Sequence, residues 1–163
     1  MKPLPPIDEQ FMLTFLVDLL KTPSPTGFAE QAIVRVEEAL KPFPFLSLER
    51  TRKGALLATW KGLRDDAPRL VTAHVDTLGA MVKAIKPNGR LRLTRIGGYS
   101  WNTIEGEGCT VFTHTGKTFR GTVLLDKASG HVHGSALSET KRGPDTMEVR
   151  LDARTTSAEE TRT

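Results

Sequence analysis

Leu70-Val71-Thr72-Ala73-His74-Val75-Asp76-Thr77-Leu78-Gly79 is the stretch on which the reading of this chain turns. A short, largely apolar run bounded by polar loops has the length and texture of a buried strand, and here it empties into a His-x-Asp pair. In an extended segment side chains two apart share one face, so His74 and Asp76 are expected to project together from the strand's carboxyl end. Open α/β sheets place their ligands at that end. A neutral imidazole there can bind a divalent metal, and a carboxylate beside it can fix the ring's orientation or polarise the site. Taken alone, the pair is a weak signal, since a lone strand-end histidine is more often a satisfied structural residue than a ligand.

Upstream, Phe11, Leu13, Phe15, Leu16, Leu19 and Leu20 recur at helical spacing and predict a helix over 7–21, with Asp8 near its start. Thr22-Pro23-Ser24-Pro25-Thr26-Gly27 cannot continue it, because each proline lacks an amide hydrogen and restricts the residue before it. Ala29, Ala32, Ile33, Val36, Ala39 and Leu40 then predict a second helix over 28–40, stopped by Pro42. Short β segments follow at 45–50, 55–60 and 70–73, separated by Lys53-Gly54 and the polar loop 62–68. Two amphipathic helices followed by strands imply a mixed α/β layer.

Beyond His74 the texture changes. Segments 80–85, 91–96, 110–114, 118–125 and 146–151 are short and punctuated by turns, with Asn88-Gly89 and Thr115-Gly116 as natural hairpin tips. Helical periodicity is absent from 77–149, which reads as a small β barrel or sandwich. Ser157 and Glu160 form a capping box for a helix that is only about one turn old at Thr163, so Thr163 is not expected to close a finished domain.

Composition narrows the function classes. A chain of 163 residues, 38% hydrophobic and 26% charged, has the material for a soluble core. Its 23 basic and 19 acidic residues give a net charge of +4, scattered without a basic stripe, and aromatics are only 6%, so nucleic acid is not an expected partner. No apolar run approaches the roughly 20 residues of a membrane helix. The start Met-Lys-Pro-Leu-Pro-Pro lacks a secretory stretch and Cys109 has no disulfide partner, which makes a reducing, cytoplasmic setting the expectation.

Several motifs together narrow the reading further. The helix, Pro-Ser-Pro-Thr-Gly loop, helix and paired strands lead into Ala73-His74-Val75-Asp76-Thr77-Leu78-Gly79-Ala80-Met81-Val82. Arg95-Ile96-Gly97-Gly98, Gly121-Thr122-Val123-Leu124 after a Thr-Gly-Lys hairpin, and Leu151-Asp152-Ala153-Arg154 followed by Thr156-Ser157-Ala158-Glu159-Glu160 come in order after it. This series resembles family forty-two of the metallopeptidases, the tetrahedral aminopeptidases that include glutamyl and leucyl aminopeptidases, over essentially the whole chain. The resemblance implies an incomplete α/β aminopeptidase catalytic domain: its first part at 1–76, an inserted β-rich dimerisation-type domain at 77–149, and a return into the catalytic domain at 150–163. It implies that His74 is a metal ligand and that Asp76 is the neighbouring catalytic-site carboxylate. It implies two divalent metal ions, zinc or cobalt, in the full-length enzyme, peptide substrates, and a homo-oligomer formed through the β-rich domain. The family takes the bridging carboxylate, further ligands and general base from the part that follows the insertion, so this chain alone is expected to lack a complete active site.

Other residues carry weaker signals. Asp152 imitates a bridging carboxylate but precedes Ser-Ala-Glu-Glu as a structural strand end would; His131 and His133 flank Val132 between glycines, as in an exposed loop; His114 sits at a hairpin tip. Cys109 reads as a half-buried strand residue, not a nucleophile, and Gly106 and Gly108 follow no βα turn that would cradle phosphate. Two other functions remain open: a related Ala-His-x-Asp amidohydrolase or carboxypeptidase, disfavoured by the early β-rich block and Arg-Ile-Gly-Gly, and a non-catalytic module that associates with itself. The endoglucanase label given to some relatives finds no paired carboxylates here.

Overall fold

The structure is a computed structural model that describes residues 6–64 and 66–162. Helices and sheets are mixed, in two compact units that divide between Thr77 and Leu78.

In the first unit α1 spans Glu9–Lys21 and opens on Asp8, whose carboxylate accepts the Phe11 amide at 2.9 Å. It stops at Thr22, one residue before Pro23, with the Thr22 hydroxyl donating back to Asp18 O at 2.9 Å. Helix α2 spans Glu30–Leu40 and buries Ala32. Strands β1 (Leu46–Arg50) and β2 (Leu56–Trp60) pair antiparallel. Arg50 at the end of β1 donates from Nε and Nη2 to Glu37 Oε2 at 2.9 and 2.7 Å, which fastens the hairpin to α2. The apolar face of α1, with Phe11, Leu13, Leu16 and Leu20, is exposed.

The strand expected at 70–73 is not formed. Leu70 and Val71 are 79% and 92% exposed, and these residues pair with no strand among the described residues. A run that is apolar on both faces needs a ladder on each side and cover above and below. Among the described residues β1 and β2 pair only with each other, so the first unit offers it neither.

The second unit is a five-stranded antiparallel sheet in the order β3 (Gly79–Ile85), β4 (Leu91–Ile96), β7 (Met147–Leu151), β6 (Thr118–Leu125), β5 (Gly108–Phe112). Both predicted hairpins form, and Gly89 and Gly116 supply the positive φ, +79° and +80°, that their turns need. β7, last of the strands in the chain, enters the middle. Its Met147 and Val149 join Leu91, Leu93, Val123 and Leu125 in the core. Three short helical segments, which the absence of periodicity in 77–149 did not predict, cross the connections: a 3-10 turn at Trp101–Ile104, α3 at Gly130–His133 and α4 at Ala136–Glu139. They are too short to show a 3.6-residue repeat, yet Trp101, Ile104 and Leu137 pack against the core. The capping box forms, with Ser157 Oγ accepting the Glu160 amide at 3.2 Å at the head of α5 (Ala158–Arg162). Thr161 Oγ1 ties that helix to Gly89 O at 2.9 Å.

Glu148 alternates with the core residues of β7 and so points to the opposite face, where it is nonetheless only 1% exposed. Its oxygens accept from Lys86 and Arg90 of the β3–β4 hairpin. Burial pushes this carboxyl up, but the two cations outweigh burial and hold it below the usual glutamate value. A carboxyl depressed in the folded state stabilises above its unfolded pKa, and that contribution is lost as pH falls through the folded value. Stability should therefore begin to fall below about pH 4.3. The double variant Lys86→Met/Arg90→Met, which strands a buried carboxylate, should cost about 3–5 kcal/mol in urea unfolding at pH 7. Glu148→Ala should cost less, about 1–3 kcal/mol, because Lys86 and Arg90 can turn toward solvent.

Candidate functional site

The Pro-Ser-Pro-Thr-Gly loop, read from sequence as a connection between helices, is the platform on which the His-x-Asp segment rests. Ser24, 1% exposed, donates from Oγ to Val75 O at 2.7 Å, and Thr77 N donates to Ser24 O at 2.9 Å. Pro25 and Thr77 meet in a parallel bridge. Pro23 and Pro25 each fix φ and remove a competing amide donor, so the loop presents its hydroxyls from a stiff backbone. Thr26 Oγ1 then donates to Asp76 Oδ2 at 2.8 Å.

This places the two predicted site residues together. His74 Nδ1 lies 3.1 Å from Asp76 Oδ1 and 3.2 Å from the Asp76 main-chain oxygen. The hydrogen bond from Thr26 does most to hold the Asp76 carboxyl below the usual aspartate range, against a smaller upward push from burial; the His74 ring adds to the lowering. With Nδ1 occupied, His74 keeps Nε2 for another partner, and its side chain is 82% exposed.

The donor set fits one metal ligand with its orienting carboxylate, since an imidazole bound through one nitrogen while a carboxylate holds the other is a common ligand arrangement. Zinc sites take three or four protein ligands. Among the described residues no group of three or more His, Cys, Asp or Glu could share an ion.

The other candidates lie in the second unit, each in a local setting. Asp152 follows β7, with its amide donating to Arg120 O at 2.8 Å and its carboxylate 3.8 Å from Arg150. His131 and His133 are exposed in the short helix α3, not in an irregular loop, and His114 is exposed in the β5–β6 turn. Cys109 is half-buried in β5; burial pushes its thiol up, away from thiolate chemistry. Gly106 N donates to Val123 O at 2.8 Å and Gly108 begins β5, a strand entrance with no helix behind it. What sequence reasoning missed was Ser24 and Thr26. Two hydroxyl residues interleaved with prolines were the available signal, but a loop's docking partner some fifty positions away leaves no local periodicity to read.

A family model described as M42 glutamyl aminopeptidase matches residues 54–163. The chain is 43% identical over 140 residues to the putative aminopeptidase YhfE of Bacillus subtilis, covering 86% of this chain and 40% of that protein. It superposes on a TET aminopeptidase from a marine sediment archaeon of the Thaumarchaeota with a TM-score of 0.81 at 21% identity, over 94% of this chain and 41% of the other. It superposes on the TET1 peptidase of Pyrococcus horikoshii, described as able to assemble into a tetrahedron or a large octahedral shell, with a TM-score of 0.68 at 23% identity, over 92% and 42%. At those identities the two structures share the fold. The chain spans about 40% of the length of the curated relative it matches.

Removing the Ser24 hydroxyl should loosen the platform without unfolding the unit. Ser24→Ala is expected to cost about 1 kcal/mol, the net worth of one hydrogen bond plus the unmet Val75 carbonyl. Amide hydrogen exchange should quicken at Thr77 and leave α2 and β1 unchanged; unchanged exchange at Thr77 would show that the loop is not held through Ser24.

Proposed function

The chain belongs to the M42 glutamyl aminopeptidase family, and from that premise we propose that it forms the first part of a binuclear-metal aminopeptidase that removes N-terminal residues from peptides. The observation that carries this reading is the His74–Asp76 pair seated on the Ser24–Thr26 loop. His74 supplies one metal ligand through Nε2, and Asp76 accepts from Nδ1 and orients the ring. Two divalent ions, zinc or cobalt, when bound would polarise the scissile carbonyl and activate water. The remaining ligands, the bridging carboxylate and the general base are assigned to other residues of the enzyme, since among the described residues no group of three or more His, Cys, Asp or Glu could share an ion.

The division of the chain at Thr77 and Leu78 supports a boundary between a first part of the catalytic domain at 1–76 and an inserted β-rich domain at 77–149. Residues 150–163 are assigned here as the return into the catalytic domain, and those of them described pack in this structure with the second unit. The assemblies described for the Pyrococcus protein support a homo-oligomer, whose contacts this reading assigns to the β-rich domain. A cytoplasmic setting goes with a single cysteine that has no disulfide partner. Among the described residues no helix is long and apolar enough to cross a membrane.

The 163-residue chain should show no metal-dependent turnover of aminoacyl chromogenic substrates with zinc, cobalt or manganese, since one imidazole and its supporting carboxylate cannot hold two metals. Activity that copurifies with the chain would refute that. In the full-length enzyme His74→Ala should lose a metal by elemental analysis, whereas Asp76→Asn should retain metal and lose roughly 10- to 100-fold in turnover. Full metal occupancy in His74→Ala would overturn the ligand assignment.

A further inference from the structure

The geometry points to Thr26 as a positioning residue: by holding Asp76 Oδ2, it sets the tautomer of His74 and so decides which ring nitrogen is left with a lone pair. The inference rests on the reading of His74 as a ligand only for its functional meaning; the structural claim stands by itself.

Donor and acceptor capacity fixes which ring nitrogen carries the hydrogen. An ionised carboxylate accepts and cannot donate, and a main-chain oxygen likewise only accepts. Both acceptors near His74 Nδ1, the Asp76 carboxylate at 3.1 Å and the Asp76 carbonyl at 3.2 Å, therefore require the hydrogen on Nδ1. Nε2 then carries the lone pair. Left to itself, an aspartate carboxylate this exposed would turn about its last torsion, which is broad and roughly two-fold. Thr26 Oγ1 donating to Oδ2 at 2.8 Å removes that freedom and leaves Oδ1 toward the ring. Threonine suits the task because its β-branch restricts χ1, so the hydroxyl is delivered with little rotamer choice.

The loop does not depend on Thr26 for its place. Ser24 Oγ to Val75 O, Thr77 N to Ser24 O and the Pro25–Thr77 bridge all dock it independently. Thr26 is thus free to act on Asp76 while Ser24 holds the backbone, and its removal should change the ring without releasing the loop.

The test is the two-bond proton–nitrogen correlation spectrum of the chain labelled with nitrogen-15 histidine, above the titration range of its rings. Of the four histidines, His114, His131 and His133 serve as internal references. His74 should show the Nδ1–H pattern in the parent chain, a clearly reduced share of it in Thr26→Val, where only the Asp76 carbonyl still favours that form, and the parent share again in Thr26→Ser, which restores a hydroxyl. A parent His74 in the Nε2–H form, or an unchanged pattern in Thr26→Val, would overturn the inference. Should Thr26→Val also undock the loop, seen as lost protection of the Thr77 amide, the Ser24-based docking argument fails and the inference with it. Metal analysis of the full-length enzyme separates the two readings: a His74 in the Nδ1–H form here, together with full metal occupancy in full-length His74→Ala, defeats the ligand role and leaves the role of Thr26 standing. In the metal-loaded full-length enzyme Thr26→Val should weaken metal affinity by up to about tenfold.

Discussion

The hydrogen bond from the buried hydroxyl of Ser24 to the carbonyl of Val75 is the contact on which the site depends. Residues 70–76 lie in no ladder among the described residues, so the usual device for aiming strand-end side chains, a sheet on either side, is not what places His74 and Asp76. Their geometry comes from a loop stiffened by two prolines and docked by side-chain and main-chain bonds over about fifty residues of intervening sequence. Docking a rigid loop costs little conformational entropy, because most of its freedom is already gone in the unfolded chain. That is why so few bonds can hold an exposed segment in one arrangement.

The second unit is built on different physics. There a central strand that arrives late in the chain closes the core, and a buried carboxylate on its reverse face is neutralised by two cations from one hairpin. Gly121 on β6 shows how tightly β7 is received: a β-carbon there would stand 2.8 Å from Arg150 O and from Val149 Cγ1. The β6–β7 register thus requires a residue without a side chain, and the core residues Val123, Leu125, Met147 and Val149 follow from that register.

Much of this was legible in the sequence, for identifiable reasons. Helices α1 and α2 announce themselves by periodic apolar residues and by Pro23 and Pro42; the hairpins by Asn88-Gly89 and Thr115-Gly116; α5 by Ser157 and Glu160. These signals are local, and local chemistry forms them. The reading failed where the outcome depends on partners distant in sequence. Leu70–Ala73 has a strand's composition but no ladder, and Trp101–Ile104, α3 and α4 are single turns set by packing, with no repeat to detect. The His74–Asp76 pair was legible as a pattern, whereas the hydroxyls that orient it were not, since nothing near Ser24 or Thr26 names position 75 or 76.

The central claim is that, on a loop docked through Ser24, Thr26 holds the Asp76 carboxylate of the His-x-Asp segment. A double-mutant cycle measures this directly, with Thr26→Val, Asp76→Ala and both together compared by urea unfolding. The account predicts clear non-additivity: Thr26→Val destabilises the parent chain and changes almost nothing once Asp76 is alanine. Strictly additive effects, the behaviour of two sites that do not touch, would contradict it.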